Sequence, residues 1–315
     1  MSGHHSHGGA SRALVFSLAL VLSFAAIQFV ASWITGSLAL FADAGHTLVD
    51  SAGLALALIA GLLARRPPDS LRSFGYARVE VLVVPLHVLL MLGIAGYIAW
   101  EAFGRMGAEQ SINALPVLFV AVGGLAVNLF ALRLLHAHSH GSLNTRGAFL
   151  EVLVDAFASV GVIISAVVLM TTGWTGIDIL VALVIAALIV PRALRLGWQS
   201  IAILLETAPG SVSVESIRRD AETIDGVAGV HDLHVWSVAP HFTALSAHLE
   251  VRDMRDAARQ LAAFSRLLRE RHGIAHVTLQ PETRELHEAV QCCAFPDAAG
   301  VQASAHDIKC EPRDV

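Results

Sequence analysis

The sequence predicts an α-helical membrane protein with six transmembrane helices, followed by a small soluble α+β domain in the order αββαβ. Three observations carry this. The 315-residue chain is 55% hydrophobic and 15% charged, with a mean hydropathy of +0.63, which is too apolar for an ordinary soluble domain. Six apolar runs, each near the roughly 20 residues that cross a bilayer, fill the first two-thirds. After about Glu206 the composition becomes that of a soluble protein, and strand-like alternation appears between amphipathic stretches.

Taken in order, residues 1–11 form a short tail carrying His4, His5 and His7, and 12–205 form the membrane region. The first run, 13–34, has no charged residue and no basic segment before it, so it reads as a retained span. Thr35-Gly36-Ser37 is a tight turn. The second span, 38–64, stops at Arg65-Arg66-Pro67-Pro68, where two prolines end the helix and two arginines mark the membrane edge. Residues 79–103, 114–135, 148–170 and 172–196 supply the remaining spans. Arg65, Arg66, Arg72, Arg78, Arg133, Arg146, Arg192 and Arg195 all fall on one side if the spans alternate, and the opposite loops hold Arg105 alone. The positive-inside rule therefore sets both termini and the soluble domain in the cytoplasm.

Two spans carry ionisable pairs. Within 37–50, SLALFADAGHTLVD, His46 and Asp50 are four apart and share a helix face; within 147–161, GAFLEVLVDAFASVG, Glu151 and Asp155 repeat the spacing. Such groups cost several kcal/mol in lipid unless something occupies them. If the two helices face each other, one imidazole and three carboxylates form a four-ligand set suited to a tetrahedral divalent metal, Zn2+ above all, with Cd2+ or Co2+ as alternatives. The competing reading is a helix-packing hydrogen bond. Asp43, three residues before His46, is a possible gate or outer-shell partner, whereas Gln28, His87, Asn128 and Asp178 read as polar helix contacts. Between the fourth and fifth spans, His136, His138 and His140 could load metal, or be incidental loop residues.

The soluble domain, 206–285, reads as helix 212–224, strands 229–239 and 242–251, helix 254–272 and strand 275–280, with 286–315 a flexible tail. Alternation sends Leu245, Ala247, Leu249 and Val251 inward and turns His248 outward. His276 and His234 join that polar face, with Glu282 nearby, as a second possible metal site or as plain exposed histidines. Cys292, Cys293 and Cys310 form no disulfide framework. The net charge of −5 and the lack of clustered Lys or Arg exclude nucleic acid as a partner. No HExxH motif occurs, and the chain is not expected to be an enzyme.

These residues, together with Phe74-Gly75-Tyr76 and Glu80, 144–151 (NTRGAFLE), 159–161, 204–209 (LLETAP) and 231–236 (HDLHVW), make the chain resemble the cation diffusion facilitator family from about Ser11 to Glu282. Its bacterial cobalt, zinc and cadmium exporters are the nearest in pattern. The resemblance implies a homodimer in the inner membrane, a ferredoxin-like cytoplasmic domain, and divalent metal leaving the cytosol in exchange for protons. It implies transport ligands at His46, Asp50, Glu151 and Asp155. In the soluble domain it implies His231, His248, His276 and Glu282, where alternation alone favours His234 over His231. Arg72 and Tyr76 stand where related members carry loop histidines. A metal-gated cation channel is the alternative function.

Overall fold

The computed structural model describes residues 7–107, 110–136 and 143–290, with side chains described for 19–107, 110–133, 149–150 and 152–287. The chain divides into two compact units, Met1–Arg66 with Leu82–Ser200 and Pro67–Val81 with Ile201–Val315.

The first unit is made of α1 (His7–Thr35), α2 (Leu38–Ala64), α4 (Ala114–His136), α5 (Leu143–Thr172) and all but the ends of α3 (Val79–Arg105) and α6 (Gly176–Leu204). Among the described residues, α2 to α6 each contain a stretch long and apolar enough to cross a membrane, and α1 adds the shorter apolar stretch Ala19–Thr35. Large side chains such as Trp33, Trp100, Phe119 and Leu188 point outward, as they do where the solvent is hydrocarbon. Inside, small residues are interleaved with larger ones such as Leu40, Met91, Ile98 and Ile189. Ala39, Ala42 and Ala44 of α2, Ala95 and Ala102 of α3, and Ala182, Ala186 and Ala193 of α6 are buried, which lets the backbones approach closely. Gly45 is one such place, since a Cβ there would sit 3.1 Å from Ile94.

The helix starts explain how the polar groups are aligned. Gly36 turns the chain between α1 and α2 at φ +77°, a conformation that strains any residue with a Cβ. Ser37 then caps α2, its hydroxyl accepting from the Leu40 N–H. Asp178, in the first turn of α6, reinforces this cap. Its carboxylate accepts from the Ser37 hydroxyl at 2.6 Å and from the N–H groups of Leu38 at 2.6 Å and Ala39 at 3.3 Å. The carboxylate thus meets the positive end of the α2 dipole and pins the starts of α2 and α6 together.

Two boundaries differ from the sequence reading. Helix α5 continues through Thr172, Gly173 turns at φ +70°, and α6 begins at Gly176 rather than at residue 172. Helix α6 also runs on past residue 196 to Leu204, because Arg192 and Arg195 end an apolar span without breaking the backbone hydrogen-bond ladder. Pro85 and Pro191 lie inside α3 and α6, where each removes one backbone donor.

The second unit contains α7 (Val214–Glu222), β1 (Val227–Ala239), β2 (Phe242–Val251), α8 (Ala257–His272), β3 (His276–Glu282) and α9 (Arg284–Val290). The expected αββαβ order is present. The sheet order is β1-β2-β3, with β1 antiparallel and β3 parallel to β2. Val230, Val235, Leu245, Ala247 and Leu249 pack on Ile217 and Ala221 of α7 and on Phe264 and Leu268 of α8. Gly273 ends α8 in the left-handed conformation at φ +68°, and the Ile274 N–H returns to the Leu268 carbonyl. Asp220 ties α7 to α8 through Arg271 and His272, both at 3.0 Å. Residues 284–290 form α9, so helix continues into the stretch that composition marks as flexible from residue 286.

Asp178→Ala should lower the thermal midpoint of the detergent-solubilised protein, at a cost of about 1–3 kcal/mol for stranding buried donors. Asp178→Asn, which keeps an acceptor, should lose less.

Candidate metal centres

One turn of helix separates His46 from Asp50, and both lie on the face of α2 turned toward α5. His46 and Asp155 are each 4% exposed. The His46 Nε2 atom stands 3.6 Å from Asp50 Oδ2 and 3.6 Å from Asp155 Oδ1. These spacings are too long for hydrogen bonds and close to the ~3.4 Å edge of a tetrahedron whose bonds are ~2.1 Å, the length of zinc–nitrogen and zinc–oxygen bonds. His46 Nδ1 and Asp155 Oδ1 are buried and make no hydrogen bond among the described residues. Three side chains therefore converge on one point without satisfying one another. The side chain of Glu151 lies outside the described residues.

His87 and Arg192 also reach this centre. His87 of α3 brings its Nε2 to 3.6 Å from Asp50 Oδ1. Arg192 of α6 donates from one terminal nitrogen to Asp50 Oδ2 at 2.7 Å. Spacing alone reads His87 as a helix-packing group and Arg192 as a membrane-edge charge. A visible signal is Gly53, three residues after Asp50 on the same helix face. A Cβ there would overlap the His87 ring, so only glycine admits the imidazole beside Asp50.

Asp43 is 2% exposed and is engaged away from His46. Gln28 Nε2 donates to Asp43 Oδ2 at 2.9 Å, and Ser159 Oγ donates to the same oxygen at 3.2 Å. Asn128 Nδ2 donates in turn to Ser159 Oγ at 3.5 Å. This network joins α1, α2, α4 and α5 one turn before the His46 centre. A groove of about 970 Å³ between α5 and α6, walled by Val154, Phe157, Val184, Ile185 and Leu188, has His46 and Arg192 on its lining.

The second unit holds another cluster. Ligand atoms of His231, His248 and Glu282 all lie within 4.8 Å of one another. His231 Nε2 is 2.5 Å from Glu282 Oε1, and His248 Nδ1 is 3.2 Å from Oε2. His287 of α9 adds its Nδ1 at 3.0 Å from Oε1. Glu282 is fully buried beneath these three rings. Burial holds the His231 imidazole below its ordinary pKa, and His287 and His248 push the same way, while Glu282 pulls it up. A neutral imidazole is the form that binds metal.

The strand register explains the membership. His231 stands directly opposite His248, but the next pair is His234 with Ser246, so three steps along β1 match two along β2. The extra residue is a bulge, and Asp232 within it has φ +47°. The bulge carries both His231 and His234 to the polar face. His234 is turned to Asp232 at 2.9 Å and stays outside the cluster. His276 shares the polar face as well, but it pairs with Ala244, four residues or about 13 Å along the strand from His248. There its ring stands edge-on to Phe74 and Phe242, with centroids 5.5 and 5.4 Å away. The structure thus gathers His231, His248 and Glu282, leaves His234 and His276 apart, and adds His287.

Arg72 is held by Asp69 at 2.8 Å and lies over the Tyr76 ring at 4.7 Å, so that loop carries a cation in place of histidines. The side chain of His136, together with His138, His140, Cys292, Cys293 and Cys310, lies outside the described residues.

Family comparisons agree over both units. A family model described as the cation efflux transmembrane domain matches residues 14–205, and one described as the cytoplasmic domain of cation efflux proteins matches 209–284. The metal cation efflux system protein CzcD of Cupriavidus metallidurans is 37% identical over 294 residues, covering 92% of this chain and 93% of its own. The zinc transporter ZitB of Escherichia coli is 34% identical over 291 residues, 91% of this chain and 92% of its own. The cadmium, cobalt and zinc/H(+)-K(+) antiporter of Bacillus subtilis is 33% identical over 287 residues, 90% and 92%.

Gly53→Ala should destabilise the protein by about 1–3 kcal/mol through overpacking on His87. In a thermal unfolding cycle, adding His87→Ala should recover most of that loss, because the added methyl then has room.

Proposed function

Because the chain belongs to the cation efflux, or cation diffusion facilitator, family of membrane transporters, we propose that it exports divalent transition metal from the cytosol in exchange for protons. Zinc is the first substrate in this reading, with cadmium and cobalt beside it, in keeping with the metals named for its relatives. The observation that carries the reading is the convergence of His46, Asp50 and Asp155 at 3.6 Å spacings in the buried middle of the helical unit. Glu151, one turn before Asp155, is the fourth ligand in the proposal.

Exchange with protons follows from the ligand chemistry. Imidazole and carboxylate bind metal only when deprotonated, so metal and proton occupancy oppose each other at one place. Alternating access then means that the site loads from the cytosol and is protonated from the other side, driving the ion off. A Glu in the set adds hard oxygen and widens tolerance toward cobalt. In this reading the chain is a homodimer in the inner membrane with both termini cytoplasmic.

The cluster of His231, His248, Glu282 and His287 is proposed as a metal sensor in the C-terminal domain. Occupancy there would favour the export-ready arrangement of the dimer when cytosolic metal is plentiful.

Zinc, cadmium and cobalt uptake into proteoliposomes under an imposed pH gradient tests the reading. Uptake should follow the gradient, fall to background in Asp155→Ala, and lose cobalt relative to zinc in Glu151→His. Metal flow indifferent to the gradient, surviving in Asp155→Ala, would point to a metal-gated channel. In the same assay His248→Ala should shift activation to higher metal without abolishing transport; unchanged activation would remove the sensor.

A further inference from the structure

The mechanism above uses histidine and carboxylate groups, yet the shortest contact described in the transmembrane centre belongs to an arginine. Arg192 donates to Asp50 Oδ2 at 2.7 Å, and that is the same oxygen that faces His46 Nε2 at 3.6 Å. An ion shared by His46 and Asp50 through Oδ2 would meet an oxygen already engaged by a guanidinium, while Asp50 Oδ1 faces His87 Nε2 at 3.6 Å. A guanidinium vacates such an oxygen by moving, not by losing a proton.

The surroundings permit that movement. The Asp50 side chain is 9% exposed, whereas that of Arg192 is 33% exposed. Arg192 lies on the lining of the groove between α5 and α6, which is continuous with His46. The guanidinium can swing into this groove while Asp50 stays fixed on α2. Pro191 immediately precedes it and removes one backbone donor from α6 at that level.

We propose that Arg192 is a tethered cation that competes with the transported metal for Asp50. It occupies the carboxylate between transport events, is displaced into the α5–α6 groove when metal binds, and returns to help expel the ion. A built-in competitor of this kind weakens metal binding and speeds release. The inference rests on the reading that His46, Asp50 and Asp155 hold the transported ion.

The test is cadmium binding at equilibrium to the purified full-length protein, paired with turnover in proteoliposomes, for Arg192→Gln and Arg192→Lys. Losing a hydrogen bond to a charged group should tighten cadmium binding in Arg192→Gln by about tenfold or more. KM and kcat should fall together, because release then becomes slow. Arg192→Lys keeps a mobile cation and should remain near the parent in both quantities. In Arg192→Gln with Asp155→Ala the gain in affinity should disappear, which assigns it to this centre. Unchanged or weaker binding in Arg192→Gln, with Arg192→Lys near the parent as a check on folding, would overturn the proposal. A gain in affinity that persists with Asp155→Ala would instead discard the His46 centre itself as the site.

Discussion

The helical unit is arranged around a carboxylate that water hardly reaches. Asp50 is half-buried among apolar helices, its side chain 9% exposed, and there an uncompensated charge is costly. The surrounding elements supply compensation from three directions: His46 from its own helix, His87 from α3 and Arg192 from α6. Each approach demands a local feature. The helix period aligns His46, the missing side chain of Gly53 admits His87, and α6, unbroken from Gly176 to Leu204, carries Arg192 to the right level. The small residues of α2 and α3 then follow, since close helix approach is what brings these groups within a few ångströms.

The same logic governs the second unit in milder form. Glu282 is a buried acid at the end of β3, and three imidazoles from β1, β2 and α9 cover it. Their nitrogens stand 2.5, 3.2 and 3.0 Å from its oxygens. Both centres thus gather nitrogen and oxygen ligand atoms within a few ångströms of one another, a donor set of the kind that divalent ions bind.

How much of this is legible in the sequence depends on whether the information is local. The spans, the αββαβ order and the HxxxD and ExxxD spacings follow from periodicity within single segments, and the elements form much as those periods dictate. Periodicity fails where a period is interrupted. Strict alternation along β1 sets His231 and His234 on opposite faces, but the bulge at Asp232 resets the parity and brings both to one face. His276 lies on the face that alternation predicts but about 13 Å too far along its strand, a matter of register that no single strand encodes. Arg192 escapes sequence reasoning for another reason. A charge near the end of an apolar run looks like a membrane-edge signal, and its partner lies 142 positions away in the chain.

The Asp178 cap has a mechanical meaning. By gripping the first residues of α2, it acts as the pin of a pair of scissors whose blades are α2 and α6. Arg192 lies 14 residues beyond Asp178, about 21 Å down the blade at 1.5 Å per residue. Opening the scissors by about 10° would separate the blades there by about 4 Å, enough to break the Arg192–Asp50 contact while leaving the pin closed. A rotation of that size about the pin would act on the Arg192–Asp50 contact with no helix having to unwind.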